Sequence, residues 1–153
     1  MAAQISEEFA GQSIHLICIL KGSVFFTAEL AKHITLPVTM DFMSVSSYGN
    51  ETKSSGVVRI LKDLDSDIAG KNVLIVEDII DSGLTLAYLK EYLAKRNPKS
   101  LKIVTMLSKP ARRKADIEAD YTGFTIDDRF IVGYGLDIDQ KYRNLPYISW
   151  IRE

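Results

Sequence analysis

The chain has 153 residues, 46% of them hydrophobic and 25% charged, enough for one domain with a proper core and too little for two. Residues 1–153 are therefore read as a single domain. Nineteen basic against twenty acidic side chains leave a net charge of −1, which argues against non-specific nucleic-acid binding. No apolar run approaches the roughly 18 residues of a membrane span, and the N-terminus lacks a signal-peptide pattern. The expectation is a cytoplasmic protein with no membrane partner. The single cysteine, Cys18, sits in the apolar run HLICIL. It reads as a buried structural thiol, compatible with a reducing compartment.

Taken in order, Gln4 to Ala10 reads as the end of an amphipathic helix and Ile14 to Leu20 as a buried strand. Lys21-Gly22-Ser23 breaks that strand. Val24 to His33 follows as a helix with Ser23 a plausible N-cap. Pro37 marks a boundary before a strand over Val38 to Val45. Ser46 to Gly56 is polar and without periodicity. It is either a plain hairpin connection or a lid, and a strand over Val57 to Leu64 follows it.

Val73 to Val76 is a short apolar run of the kind a strand buried on both faces shows. Glu77 and Asp78 stand where that strand is expected to end. Ile79-Ile80 and then Asp81-Ser82-Gly83-Leu84-Thr85 lead into a helix. Its Leu86, Leu89 and Leu93 lie on one face, and a Glu91–Lys95 pair lies on the other. Asn97-Pro98 stops it. Leu101 to Leu107 reads as a strand, ended by Ser108-Lys109-Pro110. Arg112 to Asp120 reads as a solvated helix or loop. Tyr121 to Ile126, Phe130 to Tyr134 and Tyr147 to Ile151 read as further strands. Strands alternating with helices imply an α/β domain with a mostly parallel, twisted sheet covered on both faces, plus an antiparallel element at the hairpin.

In such a sheet ligands bind at the carboxyl ends of strands. A small-residue turn opening a helix there offers free N–H groups and the positive end of a dipole to a phosphate. Asp-Ser-Gly alone is a common βα turn in which Asp81 or Ser82 caps a helix. Two carboxylates directly after a buried run are more demanding, because their desolvation calls for cations or hydroxyls as partners. Together these features point to a phosphorylated sugar whose hydroxyls, or a bound Mg²⁺, meet the acids.

The string VLIVEDIIDSGLT (Val73 to Thr85) resembles the phosphoribosyl-diphosphate (PRPP) binding motif of type I phosphoribosyltransferases, and EDIIDSGLT resembles the hypoxanthine-guanine branch. The resemblance extends over nearly the whole chain. It implies a Mg²⁺-dependent purine-salvage enzyme that transfers ribose 5-phosphate from PRPP to a 6-oxopurine, releasing diphosphate and giving IMP or GMP. It also implies a homo-oligomer, dimer or tetramer.

By the same resemblance, Asp81, Ser82, Gly83, Leu84 and Thr85 wrap the 5-phosphate. Glu77 and Asp78 lie at the ribose hydroxyls and, with Asp137, at the metal. Asp81 is the catalytic residue facing the purine imidazole nitrogen. Lys21-Gly22 and Arg143 sit at the diphosphate, in a turn that can hold a cis peptide, and Ser47-Tyr48 belong to a loop that closes over PRPP. Lys109 contacts the exocyclic oxygen of the base; an ammonium only donates hydrogen bonds, which suits a carbonyl over an amine. Phe130 stacks on the purine, Ile131 presents backbone groups to its edge, and Asp137 completes the base site. As bare sequence, Phe130 is more often a core residue and Lys109 more often a surface one. Leu84 stands where some relatives have lysine. Relatives also carry a helical segment before the equivalent of Met1 and residues beyond Glu153, which implies a reduced hood over the base here. The alternative weighed is a regulator on the same fold that binds nucleotide and RNA.

Overall fold

The computed structural model describes residues 1–47 and 58–151. In chain order it contains α1 (Ala2–Glu8), β1 (Ile14–Leu20), α2 (Val24–His33), β2 (Val38–Ser47), β3 (Val58–Lys62) and β4 (Asn72–Ile80). There follow α3 (Leu84–Ala94), β5 (Ser100–Ser108), a 3₁₀ turn (Pro110–Arg112), β6 (Tyr121–Thr125), β7 (Ile131–Val132) and β8 (Ser149–Trp150).

The apolar run in the middle of the chain becomes the central strand because both of its faces are covered. Val73 and Ile75 enter one core with Leu86, Leu89 and Leu93 of α3. Leu74 and Val76 enter another with Ile5 and Phe9 near α1 and Leu30 of α2. Successive strand residues point to opposite faces, so an unbroken apolar run feeds two cores at once. The sheet runs β3-β2-β1-β4-β5-β6. All its pairings are parallel except β2 with the edge strand β3. The chain winds one way from β1 through α2 to β2 and the other way from β4 through α3 to β5. The direction of winding therefore reverses between β1 and β4.

β4 is longer than the apolar run implied. It continues through Glu77 and Asp78 to Ile80 because β5 goes on pairing with it, Glu77 opposite Thr105 and Ile80 opposite Ser108. Pairing with β1 stops at Val76, opposite Cys18. The carboxylates thus sit on a strand that has lost one neighbour. α3 begins two residues earlier than the pattern suggested, at Leu84, with Gly83 as its N-cap at φ 78°. That left-handed value suits glycine. Ser23 occupies the N-cap of α2 without capping it; its hydroxyl instead donates to the Ile19 carbonyl at 2.6 Å.

The terminal strands are shorter than their apolar runs. β7 and β8 form only a two-residue ribbon, separate from the main sheet. The helix at the N-terminus also lies earlier than read, over Ala2–Glu8. Residues 48–57 lie outside the described residues, and with them Tyr48 and the proposed lid. Cys18 is buried, as its surroundings implied. No helix among the described residues is long and apolar enough to cross a membrane.

Leu89 is fully buried in the α3-side core. Leu89→Ala is expected to cost about 2–5 kcal/mol, read from urea midpoints. A loss below roughly 1 kcal/mol would mean that α3 is not anchored through this residue.

Candidate active site

The carboxyl ends of β1 and β4 meet at the reversal of winding, where α/β sheets place their ligands. Past Leu20 the chain turns through a cis peptide into Lys21. Gly22 is packed so closely against Asp78 that a side chain on it would collide with the carboxylate. Lys21 Nζ donates to Gln140 Oε1 at 3.1 Å, and Arg143 Nη2 reaches the same oxygen at 3.2 Å. Arg143 also pairs with Asp137 Oδ1 at 2.9 Å and donates to the Gly135 carbonyl at 2.7 Å. Its Nε is buried without a partner. Lys21, Gly22, Asp78, Asp137 and Arg143, from three distant parts of the chain, therefore form one cluster.

The second half of the site is the bend after β4. Glu77, Asp81, Ser82, Gly83 and Thr85, with Ile79, Ile80 and Leu86, line a cavity of about 110 Å³. The first-turn amides of α3 lack intrahelical acceptors and form the positive end of the helix dipole. Asp81 is half-exposed, yet its Oδ1 is buried without any hydrogen-bond partner. Buried carboxylate oxygens are normally paired, so this atom is one that a ligand would satisfy.

Electrostatics favour a cationic or hydroxylated partner beside the phosphate cradle. Burial, and then the charge of Asp78, push the Glu77 carboxyl well above its ordinary range. Burial raises Asp78 to about 6 and the charge of Asp137 adds to it, against the opposing pull of the Ile79 amide and Arg143. Among the described residues no three acidic, His or Cys groups already form a metal cage. Mg²⁺ needs none, since it is characteristically held by one or two carboxylates together with substrate phosphates. Two desolvated carboxylates short of positive charge fit such an ion. Asp137 fits less directly, because its oxygens are engaged by Arg143 and the Gln140 amide.

The residues expected to face a base are distributed differently. Lys109 is only 6% exposed, and its amide donates to the Ile80 carbonyl at 2.9 Å. It is therefore a buried residue beside the bend and not a surface lysine. Phe130 is 55% exposed and so is not core. Phe130 and Ile131 stand at the β7–β8 ribbon and do not line the cavity of the bend. Ser47 ends β2, with its backbone opposite Val58.

The segment Arg112 to Asp120 is the loop the sequence implied, with Arg112, Lys114, Asp116, Glu118 and Asp120 exposed, but three of its side chains make contacts the composition did not show. Ile117 is buried in the core, Arg113 is turned inward, and Arg112 links two parts of the site. Arg112 Nε donates to Asp128 Oδ1 at 2.6 Å and its Nη1 lies 4.0 Å from Asp81 Oδ2. An alternation of charge hid these contacts, because a solvated segment and an inward-turned arginine share that composition. Gln140 was also missed. It carries a positive φ along with Tyr134, Asp139 and Tyr142, backbone that only the folded segment reveals.

Comparison with known proteins agrees with this geometry. The phosphoribosyl transferase domain family matches residues 1–139. The hypoxanthine-guanine phosphoribosyltransferase of Bacillus subtilis (strain 168) is 54% identical over 152 residues, 99% of this chain and 84% of the relative. That of Mycobacterium bovis is 56% identical over 139 residues, 91% of this chain and 69% of the relative. A crystal structure of a hypoxanthine-guanine phosphoribosyltransferase from Bacillus anthracis superimposes with a TM-score of 0.94 at 55% identity, covering 99% of this chain and 89% of that one. The fold, with its reversal of winding, is thus shared with that structure, and the chain belongs to the phosphoribosyltransferase family, in its hypoxanthine-guanine branch.

Proposed function

We propose that this enzyme moves the 5-phosphoribosyl group from PRPP to hypoxanthine or guanine, giving IMP or GMP and diphosphate in purine salvage. The observation that carries the reading is the bend at Asp81–Thr85, where free amides open a helix beside an unsatisfied Asp81 oxygen. The 5-phosphate suits the amides and the Ser82 and Thr85 hydroxyls. The ribose hydroxyls suit Glu77 and Asp78, whose negative charge also favours a sugar becoming cationic in the transition state. Diphosphate suits Lys21 and the planar fork of Arg143.

Asp81, with one oxygen unpaired, is suited to hold or accept a proton from the imidazole nitrogen of the purine. Lys109 donates to its exocyclic oxygen, Phe130 stacks on it, and the Ile131 backbone and Asp137 meet its edge. Glu77, Asp78 and Asp137 would hold Mg²⁺, which when bound neutralises charge on the diphosphate leaving group. Ser47 and Tyr48 belong to the proposed closing loop, which would keep water from an electrophilic ribose. Exposed Phe25 and Phe124 support a homo-oligomer, and the buried free Cys18 suits the cytoplasm. The RNA-binding alternative is not favoured, since the similar proteins named above all bear an enzyme's name.

The direct test supplies PRPP, Mg²⁺ and each nucleobase separately and follows nucleotide formation; absence of IMP and GMP would end the reading. Asp81→Ala is expected to lower kcat by about 10²–10⁴ while PRPP affinity changes little; equal losses in both would remove its proton-handling role. Lys109→Ala is expected to relax the preference for 6-oxopurines over adenine by tenfold or more, about 1.4 kcal/mol. An unchanged ratio of kcat/KM values would show that another residue reads the base.

The raised Asp78 carboxyl carries a pH signature. Its folded value of about 6 exceeds the roughly 3.9 of an unfolded aspartate, so the folded state binds its proton more tightly. Ionisation then costs stability, on the order of 3 kcal/mol in full above pH 6, and the cost is lost as pH falls from 6 through 4. Without divalent cations, Asp78→Asn is expected to be more stable than the parent at pH 7.5 and to keep only roughly a third of that advantage near pH 4.5, by urea denaturation. An advantage of the same size at both pH values would refute the assignment.

A further inference from the structure

The amides of the bend face the site only if its carbonyls face away, and one short segment holds two of the three there. Arg113, with a side chain 11% exposed, donates from Nη1 to the Asp81 carbonyl at 2.8 Å. The next two amides, Lys114 and Ala115, both donate to the Ser82 carbonyl, at 2.9 and 3.1 Å. The Gly83 carbonyl accepts from Ala87 at 2.9 Å. In a planar trans peptide the C=O and the following N–H point in opposite directions. Tying back the carbonyls of residues 81, 82 and 83 therefore turns the amides of Ser82, Gly83 and Leu84 towards the open side of the bend.

Arg113 also donates from Nη2 to Ser108 Oγ at 2.8 Å and pairs with Glu118 at the surface, at 3.3 Å. Ser108 directly precedes Lys109, so one guanidinium joins the strand end that carries the buried lysine to the bend that carries Asp81. A lysine could not reproduce this, because an ammonium lacks the fixed fork that engages two acceptors on different segments.

We propose that Arg113 is a positioning residue for the phosphate cradle: without touching substrate, it holds the Asp81 carbonyl and so sets the direction of the Ser82 amide, one of those that bind the 5-phosphate. This rests on the transferase reading and names a residue to which nothing above assigns a role in binding. Because the cradle grips phosphate alike in ground and transition states, its loss is expected in KM more than in kcat.

The test compares Arg113→Met, Arg113→Lys and Glu118→Gln with the parent in steady-state kinetics and in calorimetric binding of ribose 5-phosphate. Both Arg113 variants are expected to raise the KM for PRPP and the Kd for ribose 5-phosphate by about tenfold, with kcat within about threefold. Glu118→Gln is expected to leave both constants within about twofold of the parent. A purely structural arginine would lower the thermal midpoint and the active fraction while leaving both constants unmoved, and that result in folded Arg113 variants overturns the proposal. Parental behaviour of Arg113→Lys also overturns it, because charge alone would then suffice. If Arg113→Met does not fold, Arg113→Lys decides by the same criteria. A parent that binds ribose 5-phosphate but makes no nucleotide ends the transferase reading and leaves this inference to the binding constants. A parent that binds neither ribose 5-phosphate nor PRPP ends both.

Discussion

β4 loses its β1 neighbour after Val76 while β5 continues beside it to Ile80. Everything in the site follows from that asymmetry. A central strand paired on both sides has no room for a ligand at its end, whereas a strand paired on one side offers a crevice walled by backbone. The crevice falls where the winding of the sheet reverses, so the chain leaves it in opposite directions, through Lys21-Gly22 on one side and Asp81–Thr85 on the other. Gly22 can lie against Asp78 only because it has no side chain.

The two walls have opposite electrostatic character. One carries Glu77 and Asp78, desolvated acids with raised proton affinity. The other is a run of amides at a helix start, with basic side chains behind it. A phosphorylated sugar has both characters in one molecule, anionic at its phosphate and hydroxylated or cationic at its ring. Neither wall is satisfied by the protein alone: an Asp81 oxygen and the Arg143 Nε are both buried and unpaired. Such atoms cost stability when left without partners, and a substrate able to pair with them gains binding energy from that deficit.

How far the site could be read before folding depended on the range of the interactions. Val73 to Thr85 was legible because its strand, acids and bend are contiguous and local chemistry governs each. The core face of α3 was legible for the same reason, since Leu86, Leu89 and Leu93 obey helical spacing and are buried. Within Arg112 to Asp120, a largely exposed loop as read, the inward turn of Arg113 was not legible because nothing local distinguishes an arginine in solvent from one folded under a distant turn. Strand ends erred in the same way: β4 runs past its apolar residues because β5 supplies partners, and β7 stops early because only β8 pairs with it.

The sequence by itself determined the α/β class, the central strand, the bend that opens α3 and the family, because those rest on periodicity and on a contiguous string. Only the tertiary structure decided that Asp137 and Arg143 meet Lys21 and Asp78, that Lys109 is buried beside the bend, and that Arg113 holds the Asp81 carbonyl. Those contacts join residues tens of positions apart. Their energies exist only once the sheet has brought its strand ends together.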